Sequence, residues 1–171
     1  MKDYMMGAID EVLKANLRYV QNFSGQDLSL EPAQHLAVVA CMDYRINIEH
    51  VLGLKNGDAN IIRNAGGLVT DDALRSLLVS THMLGVEEIM IINHTECGML
   101  KFKDKDLLSR LQRNSGTATV SPAAFYAFTN LEENVLNQVQ RVKSHPWIPS
   151  EIIVRGFIYD VKSGLLTEVH G

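Results

Sequence analysis

Short apolar runs separated by turn and helix signals are the feature that most constrains the fold of this chain. Residues 36–40 and 88–93 are predominantly apolar stretches rich in Val and Ile, and residues 59–63 form a similar run after an Asn-Gly-Asp turn. Runs of this length without hydrophobic alternation are typical of parallel strands covered on both faces. Parallel neighbours need a crossover connection, so helices are expected between these strands.

Helix signals occur where the crossovers require them. Thr70 followed by Asp71 and Asp72 marks a helix start, leucines at helical spacing give that helix an apolar face, and Gly85 ends it. Periodicity predicts three further helices, within residues 3–22, from 101 to about 113, and over 131–144. The first of these is amphipathic and is expected to pack against another surface.

The remaining segments complete the expected topology. Residues 114–122 have the composition of a loop. Residues 152–159 and 165–169 read as two strands joined by a turn, which predicts a C-terminal hairpin. The chain therefore predicts an α/β fold with a mostly parallel central sheet, in the order 2-1-3-4 plus a C-terminal hairpin strand, flanked by helices.

Length and charge limit the classes of protein that fit. A chain of 171 residues has room for about one domain, so we expect a single domain over 1–171 with a helical arm over 1–30. The formal charge of −4 disfavours a nucleic-acid partner. No apolar run approaches the roughly 20 residues that cross a bilayer, and we expect no membrane association and a cytoplasmic location. In that reducing compartment the two cysteines are expected to be free thiols.

Chemistry-bearing residues follow the first and third strands. Cys41, Asp43 and Arg45 alternate, so an extended segment places them on one face. His94 and Cys97 follow the third strand at a spacing typical of metal-ligand pairs. Because ligands bind at the carboxyl ends of strands where the strand order reverses, Cys41 and His94 are expected to be neighbours. Two thiolates and an imidazole predict a Zn²⁺ site with a fourth position open for catalysis.

Other interpretations of these residues remain open at this point. Buried cysteines and lone histidines are common structural residues, so any one of them alone carries little weight. A redox pair is disfavoured because Cys41 and Cys97 lack the C-x-x-C spacing. A closed structural metal site with Asp43 as the fourth ligand is compatible with the spacing.

Three separated motifs together carry a family resemblance. The pattern C-x-D-x-R of Cys41 to Arg45, H-x-x-C of His94 to Cys97 followed by Gly98, and Arg-Asn-Ala-Gly-Gly at 63–67 resemble the β-class carbonic anhydrases, in their short prokaryotic type. The resemblance implies one Zn²⁺ per chain, held by Cys41, His94 and Cys97.

The same resemblance implies roles for further residues and a partner. Asp43 and Arg45 would form the catalytic dyad of the family, and the backbone amide of Gly98 would contact bound bicarbonate. A homodimer would be the basic unit, alone or within a larger homo-oligomer, with the N-terminal helix packing on the partner.

The implied activity is the reversible hydration of CO₂ to bicarbonate by zinc-bound hydroxide. We expect Arg45 to pair with Asp43 through two hydrogen bonds and so to keep this carboxylate off the metal. The carboxylate would then accept a hydrogen bond from the zinc-bound hydroxide. One alternative is a hydrolase of carbonyl sulfide or carbon disulfide on the same zinc site. Another is a non-catalytic zinc or bicarbonate-binding module in which Asp43 closes the metal.

Four neighbouring positions receive ordinary structural interpretations. Tyr44 is expected to point away from the dyad and to pack, and Glu96 to be solvated on its turn. Arg75 is expected to form an ion pair on its helix surface. The glycines of residues 64–67 are expected in a turn that requires positive φ.

Overall fold

The computed structural model describes residues 7–117, 122 and 124–171, and a five-stranded sheet organises them. Its strand order is β2-β1-β3-β4-β5, which confirms the predicted order and the hairpin. The β1, β2, β3 and β4 strands pair in parallel, and β5 pairs antiparallel to β4. The strands are β1 Leu36–Cys41, β2 Ala59–Asn64, β3 Glu88–His94, β4 Ile153–Tyr159 and β5 Leu166–Val169.

In the part of the chain that the structure describes, five α-helices and one short 3₁₀ helix accompany the strands. They are α1 Ala8–Val20, α2 Ile48–Leu52, α3 Asp71–Met83, the 3₁₀ helix Gly98–Leu100, α4 Asp104–Ser115 and α5 Leu131–Lys143. The helix predicted to start at Thr70 is confirmed, since the Thr70 side chain accepts the N–H of Ala73 as an N-cap. The α2 helix was not predicted from the sequence. The loop predicted over 114–122 is wrong at its start, because Asn114 and Ser115 complete α4, and residues 118–121 lie outside the described residues.

Two hydrophobic cores lie on the two faces of the sheet. On one face, side chains of β1 and β3 pack against α3 and α5, with Val39, Leu77, Ile91 and Val142 all fully buried. On the other face the core contains buried residues of α2 and of the central strands. Because both faces are covered, β1 has almost no polar residue to alternate with its apolar ones, as its sequence indicated.

The α1 helix contributes nothing to either core. None of its residues is buried, and the side chains of its apolar stripe are 59% to 74% exposed, namely Ile9, Val12, Leu13, Leu17 and Val20. The sequence-based expectation that this helix packs on something is therefore not met by the described part of its own chain. No helix among the described residues is long and apolar enough to span a membrane.

Tyr44 corrects one expectation. Its side chain is 93% exposed, so it does not pack within its own chain as the sequence analysis expected. The physical reason is that β1 ends at Cys41 and Tyr44 lies in the turn that follows, beyond the paired part of the strand.

A tight loop at residues 64–67 closes the carboxyl ends of β1 and β3. The Asn64 side chain bonds both the N–H and the carbonyl of Leu68, and Gly66 and Gly67 both have positive φ, as predicted. A Cβ on Gly67 would lie 2.8 Å from the backbone nitrogen of Cys41 and 2.8 Å from the carbonyl oxygen of Ile92. Glycine is therefore required by conformation and by space at this position.

Substituting Gly67 by Ala tests this packing. We expect Gly67→Ala to lower the free energy of unfolding by about 3 kcal/mol, because left-handed backbone strain adds to a clash with backbone atoms that cannot move aside. Gly53→Ala is the matched control, since Gly53 has φ +67 but nothing within 4 Å of an added Cβ, and it should cost about 1 kcal/mol. Urea unfolding measures both, and equal losses would contradict the close approach at Gly67.

Candidate active site

Three side chains from two strand ends converge on one point. Cys41 ends β1, His94 ends β3, and Cys97 follows the short turn after His94. Their ligand atoms all lie within 4.8 Å of one another, and the two Sγ atoms are 4.0 Å apart. Both cysteines are free thiols. The convergence predicted from strand order is thus present in the structure.

The imidazole of His94 is aimed into this cluster. Its Nδ1 lies 2.9 Å from the carbonyl oxygen of Thr95, which can only accept, so Nδ1 carries the proton and Nε2 presents a lone pair. His94 is completely buried, and among the described residues its Nε2 is the one buried side-chain nitrogen or oxygen without a hydrogen-bond partner. Buried polar atoms are nearly always paired, so this nitrogen indicates a missing ligand.

The pKa values of Cys41, Cys97 and His94 depend on one another. A hydrogen bond from the Cys97 thiol, against the effect of burial, lowers the pKa of Cys41 to about 4, and the same pairing raises the pKa of Cys97. Burial lowers the pKa of His94, but the nearby sulfur of Cys41 and its negative charge outweigh burial, and the net pKa is raised. Negative charge is therefore favoured at the Cys41 sulfur, which suits the binding of a cation.

Beside the cluster, Asp43 and Arg45 form a two-point ion pair. The Arg45 Nε donates to Asp43 Oδ1 at 2.9 Å, and a terminal guanidinium nitrogen donates to Oδ2 at 2.7 Å. The Arg45 guanidinium thus holds the pKa of Asp43 well below its usual range. Oδ2 also lies 3.7 Å from Nε2 of His94, so the carboxylate stands at the edge of the cluster. The expected pairing is present, while the catalytic roles of the two residues stay predictions.

Further polar contacts hold this segment in place. Arg63 donates to the carbonyl oxygen of Cys41 at 2.9 Å and to that of Asp43 at 2.7 Å, so it fixes the chain where it leaves β1. The Arg45 guanidinium also donates to the carbonyl oxygen of Glu96. The Glu96 carboxylate is partly exposed, as expected of its turn, and lies 2.6 Å from Lys162 Nζ.

An apolar wall borders the two sulfurs. Cys41, Cys97 and Met99 form a small buried cluster, and partly buried apolar residues pack on it, namely Ala65, Leu100, Phe102, Ala127 and Phe128. The segment that carries Phe128 is held by Asp104, whose carboxylate accepts the backbone N–H groups of Phe125, Tyr126 and Ala127 at 2.8 to 3.0 Å. Gly98 follows Cys97 directly and begins the 3₁₀ helix, with nothing within 4 Å of an added Cβ.

Sequence reasoning missed several of these supporting residues. Arg63 could have been found from the parallel register, which pairs it with Ala40 at the end of the neighbouring strand. Asp104 and Phe128 carry no local signal, because their contacts depend on how a long connection returns to the sheet. Arg75 was interpreted correctly, since it pairs with Asp72 on the surface of α3.

The donor set fits the metal that it implies. Two sulfurs and one imidazole nitrogen are the ligand types that select Zn²⁺ over Mg²⁺ or Ca²⁺, and three protein ligands are typical of catalytic zinc sites. The proximity of the three atoms, their burial and the unpaired Nε2 all fit such an ion. A parallel α/β fold with these donors at its central strand ends has the form of a metalloenzyme.

Comparison with known proteins agrees with this class. A family model described as carbonic anhydrase matches residues 36–166. The chain is 40% identical over 165 residues to Beta-carbonic anhydrase 1 of Mycobacterium tuberculosis, covering 96% of this chain and 99% of that protein. It therefore belongs to the carbonic anhydrase family, and the resemblance to its β class is confirmed.

Two more relatives show the range of names within this likeness. The crystal structure of a carbonic anhydrase from Streptococcus mutans has a TM-score of 0.91 and 40% identity, covering 97% of this chain and 99% of that chain. A protein named carbon disulfide hydrolase from Acidithiobacillus thiooxidans is 37% identical over 155 residues, covering 80% of this chain and 78% of that protein.

The Asp104 contacts predict a pH-dependent contribution to stability. The N–H groups of Ala127, Phe125 and Tyr126 lower the pKa of Asp104 below its ordinary value of 3.8. The carboxylate therefore stabilises the fold fully above that value, and this contribution is lost as pH falls through the lower pKa of the folded state.

We expect Asp104→Asn to reduce the free energy of unfolding by about 1 to 2 kcal/mol at pH 7, and the difference from wild type to shrink below pH 3.8. Urea unfolding from pH 7 to pH 3.5 measures it. Asp106→Asn removes the same charge from the same helix turn, where the carboxylate accepts one N–H at 3.3 Å, and it should cost less. A difference that is constant with pH would argue against the proposed contacts.

Proposed function

We propose that this protein catalyses the reversible hydration of CO₂ to bicarbonate at a Zn²⁺ ion held by Cys41, His94 and Cys97. The observation that carries the proposal is the convergence of two buried sulfurs and an unpaired imidazole nitrogen. They lie beside the Asp43 carboxylate, which accepts two hydrogen bonds from Arg45. The names of the mycobacterial and streptococcal relatives support this reaction.

Zinc, when bound, supplies the Lewis acidity that makes water a nucleophile near neutral pH. This chain's own residues hold it: the Cys41 and Cys97 sulfurs as thiolates and the His94 Nε2 lone pair. The hydrogen bond from His94 Nδ1 to Thr95 fixes the ring, so that Nε2 keeps its direction. Two thiolates neutralise the charge of a divalent ion, so further polar help from the protein is expected.

We assign this additional polar role to Asp43. Its carboxylate is bound by Arg45 on one side and faces the cluster on the other, 3.7 Å from His94 Nε2. Because its pKa is held low, it is ionised at neutral pH and acts as an acceptor that orients the attacking water. Arg45 keeps the carboxylate from turning into the cluster, where it would be a fourth ligand.

Substrate binding is assigned to the wall and to Gly98. CO₂ is small, linear and apolar, and the partly buried side chains around Met99 and Phe128 offer it an apolar surface beside the sulfurs. Bicarbonate is an anion, and we propose that the backbone N–H of Gly98 binds it, as the family resemblance implies. A Cβ at Gly98 would meet no neighbour, which supports access to this peptide.

A second candidate is hydrolysis of carbon disulfide or carbonyl sulfide at the same residues. The observation that favours it is the 37% identity to a protein named carbon disulfide hydrolase. Both substrates are linear electrophiles like CO₂, so the cluster alone does not discriminate them. The third candidate, a non-catalytic module closed by Asp43, is disfavoured by the two hydrogen bonds that Arg45 donates to this carboxylate.

Stopped-flow measurement on the zinc-loaded protein tests the function. We expect about one zinc per chain, acceleration of CO₂ hydration, and much slower release of sulfide from carbon disulfide or carbonyl sulfide. Arg45→Ala should lower the CO₂ rate by about 10- to 100-fold, because Asp43 loses the partner that holds it.

Arg75→Ala is the matched control, since Arg75 also pairs with an aspartate but lies on the α3 surface, and it should keep the wild-type rate. Faster sulfide release than CO₂ hydration would support the second candidate. No acceleration with any of the three substrates would support the non-catalytic module, and a wild-type rate in Arg45→Ala would exclude the assigned dyad.

We further propose that the chain is one domain over 1–171 whose N-terminal arm, residues 1–30, packs on a second copy in a homodimer or larger homo-oligomer. The support is the apolar stripe of α1, which is exposed along its whole length. Large exposed apolar patches are typical of interfaces. The free thiols at the site agree with the expected cytoplasmic location.

Charged substitutions on the apolar stripe of α1 test whether the arm packs on a second copy of the chain. We expect wild type to sediment as a dimer or larger species, and the double variant Leu13→Glu with Leu17→Glu to sediment as a monomer, because carboxylates would be buried at the interface. Arg18→Glu makes the same change in net charge on the opposite side of α1 and should leave the assembly intact. A monomeric wild type, or an unchanged double variant, would exclude this use of the arm.

A further inference from the structure

A fully buried amide lies directly behind the site. Asn93 precedes His94 on β3 and has no exposed surface. Its Nδ2 donates to the carbonyl oxygens of Gly66 and Gly67, at 3.0 Å each. Its Oδ1 accepts a hydrogen bond of 2.6 Å from Nδ2 of Asn134 on α5. Both polar atoms of the Asn93 side chain therefore have hydrogen-bond partners within the protein.

The contacts continue away from the site along α5. Oδ1 of Asn134 accepts from Nε2 of Gln138 at 3.3 Å, and Oε1 of Gln138 accepts the backbone N–H of Val69 at 2.8 Å. Asn93, Asn134 and Gln138 therefore form one continuous amide chain. It begins at the Gly66 and Gly67 carbonyls and ends at the N–H of Val69, a few residues further along the same connection.

The orientation of every amide in this chain is determined by its ends. Backbone carbonyls only accept, so Asn93 must present its NH₂ group to Gly66 and Gly67. Its Oδ1 then needs a donor, which Asn134 supplies. At the other end the N–H of Val69 requires an oxygen, so Gln138 must present Oε1 there and its NH₂ to Asn134. A change in any member would disturb the orientation of the others.

The Gly66–Gly67 segment packs against the proposed metal ligand Cys41. A Cβ on Gly67 would lie 2.8 Å from the backbone nitrogen of Cys41, so the α-carbon of Gly67 is in close contact with this residue. The α-carbon of Gly66 lies against the apolar wall, since an added Cβ would be 3.2 Å from Met99 Cγ and 3.3 Å from Phe128 Cε1. Asn93 therefore holds the carbonyls of two residues that contact Cys41 and the wall.

We propose that Asn93, Asn134 and Gln138 are positioning residues that hold the Gly66–Gly67 segment against Cys41 and the apolar wall, and that they thereby set the affinity and geometry of the metal site. This inference rests on the proposed zinc site. Residues that orient a metal ligand from behind commonly alter metal affinity by about 10- to 100-fold when they are changed. No member of the amide chain touches substrate in this assignment.

The variant Asn134→Asp reverses the central link at constant size. It places a carboxylate oxygen where Nδ2 of Asn134 meets Asn93 Oδ1, at 2.6 Å. The Asn93 amide must then rotate to donate to the new carboxylate, which leaves its Oδ1 facing the two glycine carbonyls. Asn137→Asp is the matched control, because it makes the same substitution on the exposed side of the same helix.

Zinc affinity and cobalt spectra are the two measurements. Zinc affinity is measured by competition with a chromophoric chelator, and the site geometry by the visible spectrum of the Co²⁺-loaded protein, including its sulfur-to-cobalt absorption. We expect Asn134→Asp to bind zinc about 10- to 100-fold more weakly and to shift the sulfur-to-cobalt band. Asn137→Asp should match wild type in both measurements. A purely structural role would lower stability without moving the cobalt spectrum of the folded fraction.

Gln138→Leu extends the test if Asn134→Asp fails to fold. It removes the outer link and should shift affinity and spectrum in the same direction by a smaller amount. Wild-type values in the folded variant of either kind would overturn the positioning role while leaving the zinc site standing. A wild-type chain that binds neither zinc nor cobalt would overturn the proposed function itself, so the two failures are distinguishable.

Discussion

Parallel pairing of β1 with β3 is the interaction on which the site depends. The register aligns Ala40 with Ile92, so both strands end at the same edge of the sheet. Their last residues, Cys41 and His94, therefore lie close together. The turn after His94 then brings Cys97 back within three residues, with Glu96 in the left-handed region at φ 55. Two sulfurs separated by 56 positions in sequence thereby come within 4.0 Å. The strand register and the turn after His94 together determine this distance.

The second constraint is electrostatic, and it separates two kinds of side chain at the carboxyl edge of the sheet. The soft donors Cys41, His94 and Cys97 are buried, whereas the hard carboxylate of Asp43 lies at the border and is already bound by Arg45. Arg63 bonds the carbonyls on both sides of this border and so keeps the backbone from bringing the carboxylate further in. The arrangement gives the carboxylate a place next to the cluster without making it part of the cluster.

The sequence predicted the parts of the protein that depend on local pattern. Continuous apolar runs indicated β1 and β3, the Thr70 cap indicated α3, and strand order placed Cys41 beside His94. Parts that depend on distant packing were not predictable. The α2 helix is five residues long and carries little periodicity, and Asn134 is a polar residue of a polar helix whose burial follows from where α5 lies on the sheet. Tyr44 was expected to pack because alternation along an extended segment points it away from Asp43 and Arg45, but the described part of its own chain leaves it exposed.

The contact between Asn134 and Asn93 forms late in the synthesis of the chain. The ribosome has completed Cys41, His94 and Cys97 by residue 97, but Asn134 follows Asn93 by 41 positions. The nascent chain therefore contains the three donor residues before the amide chain behind them is complete. The arrangement seen in the structure requires residues made after the donors, because α5 packs on one face of the sheet and β4 pairs with β3.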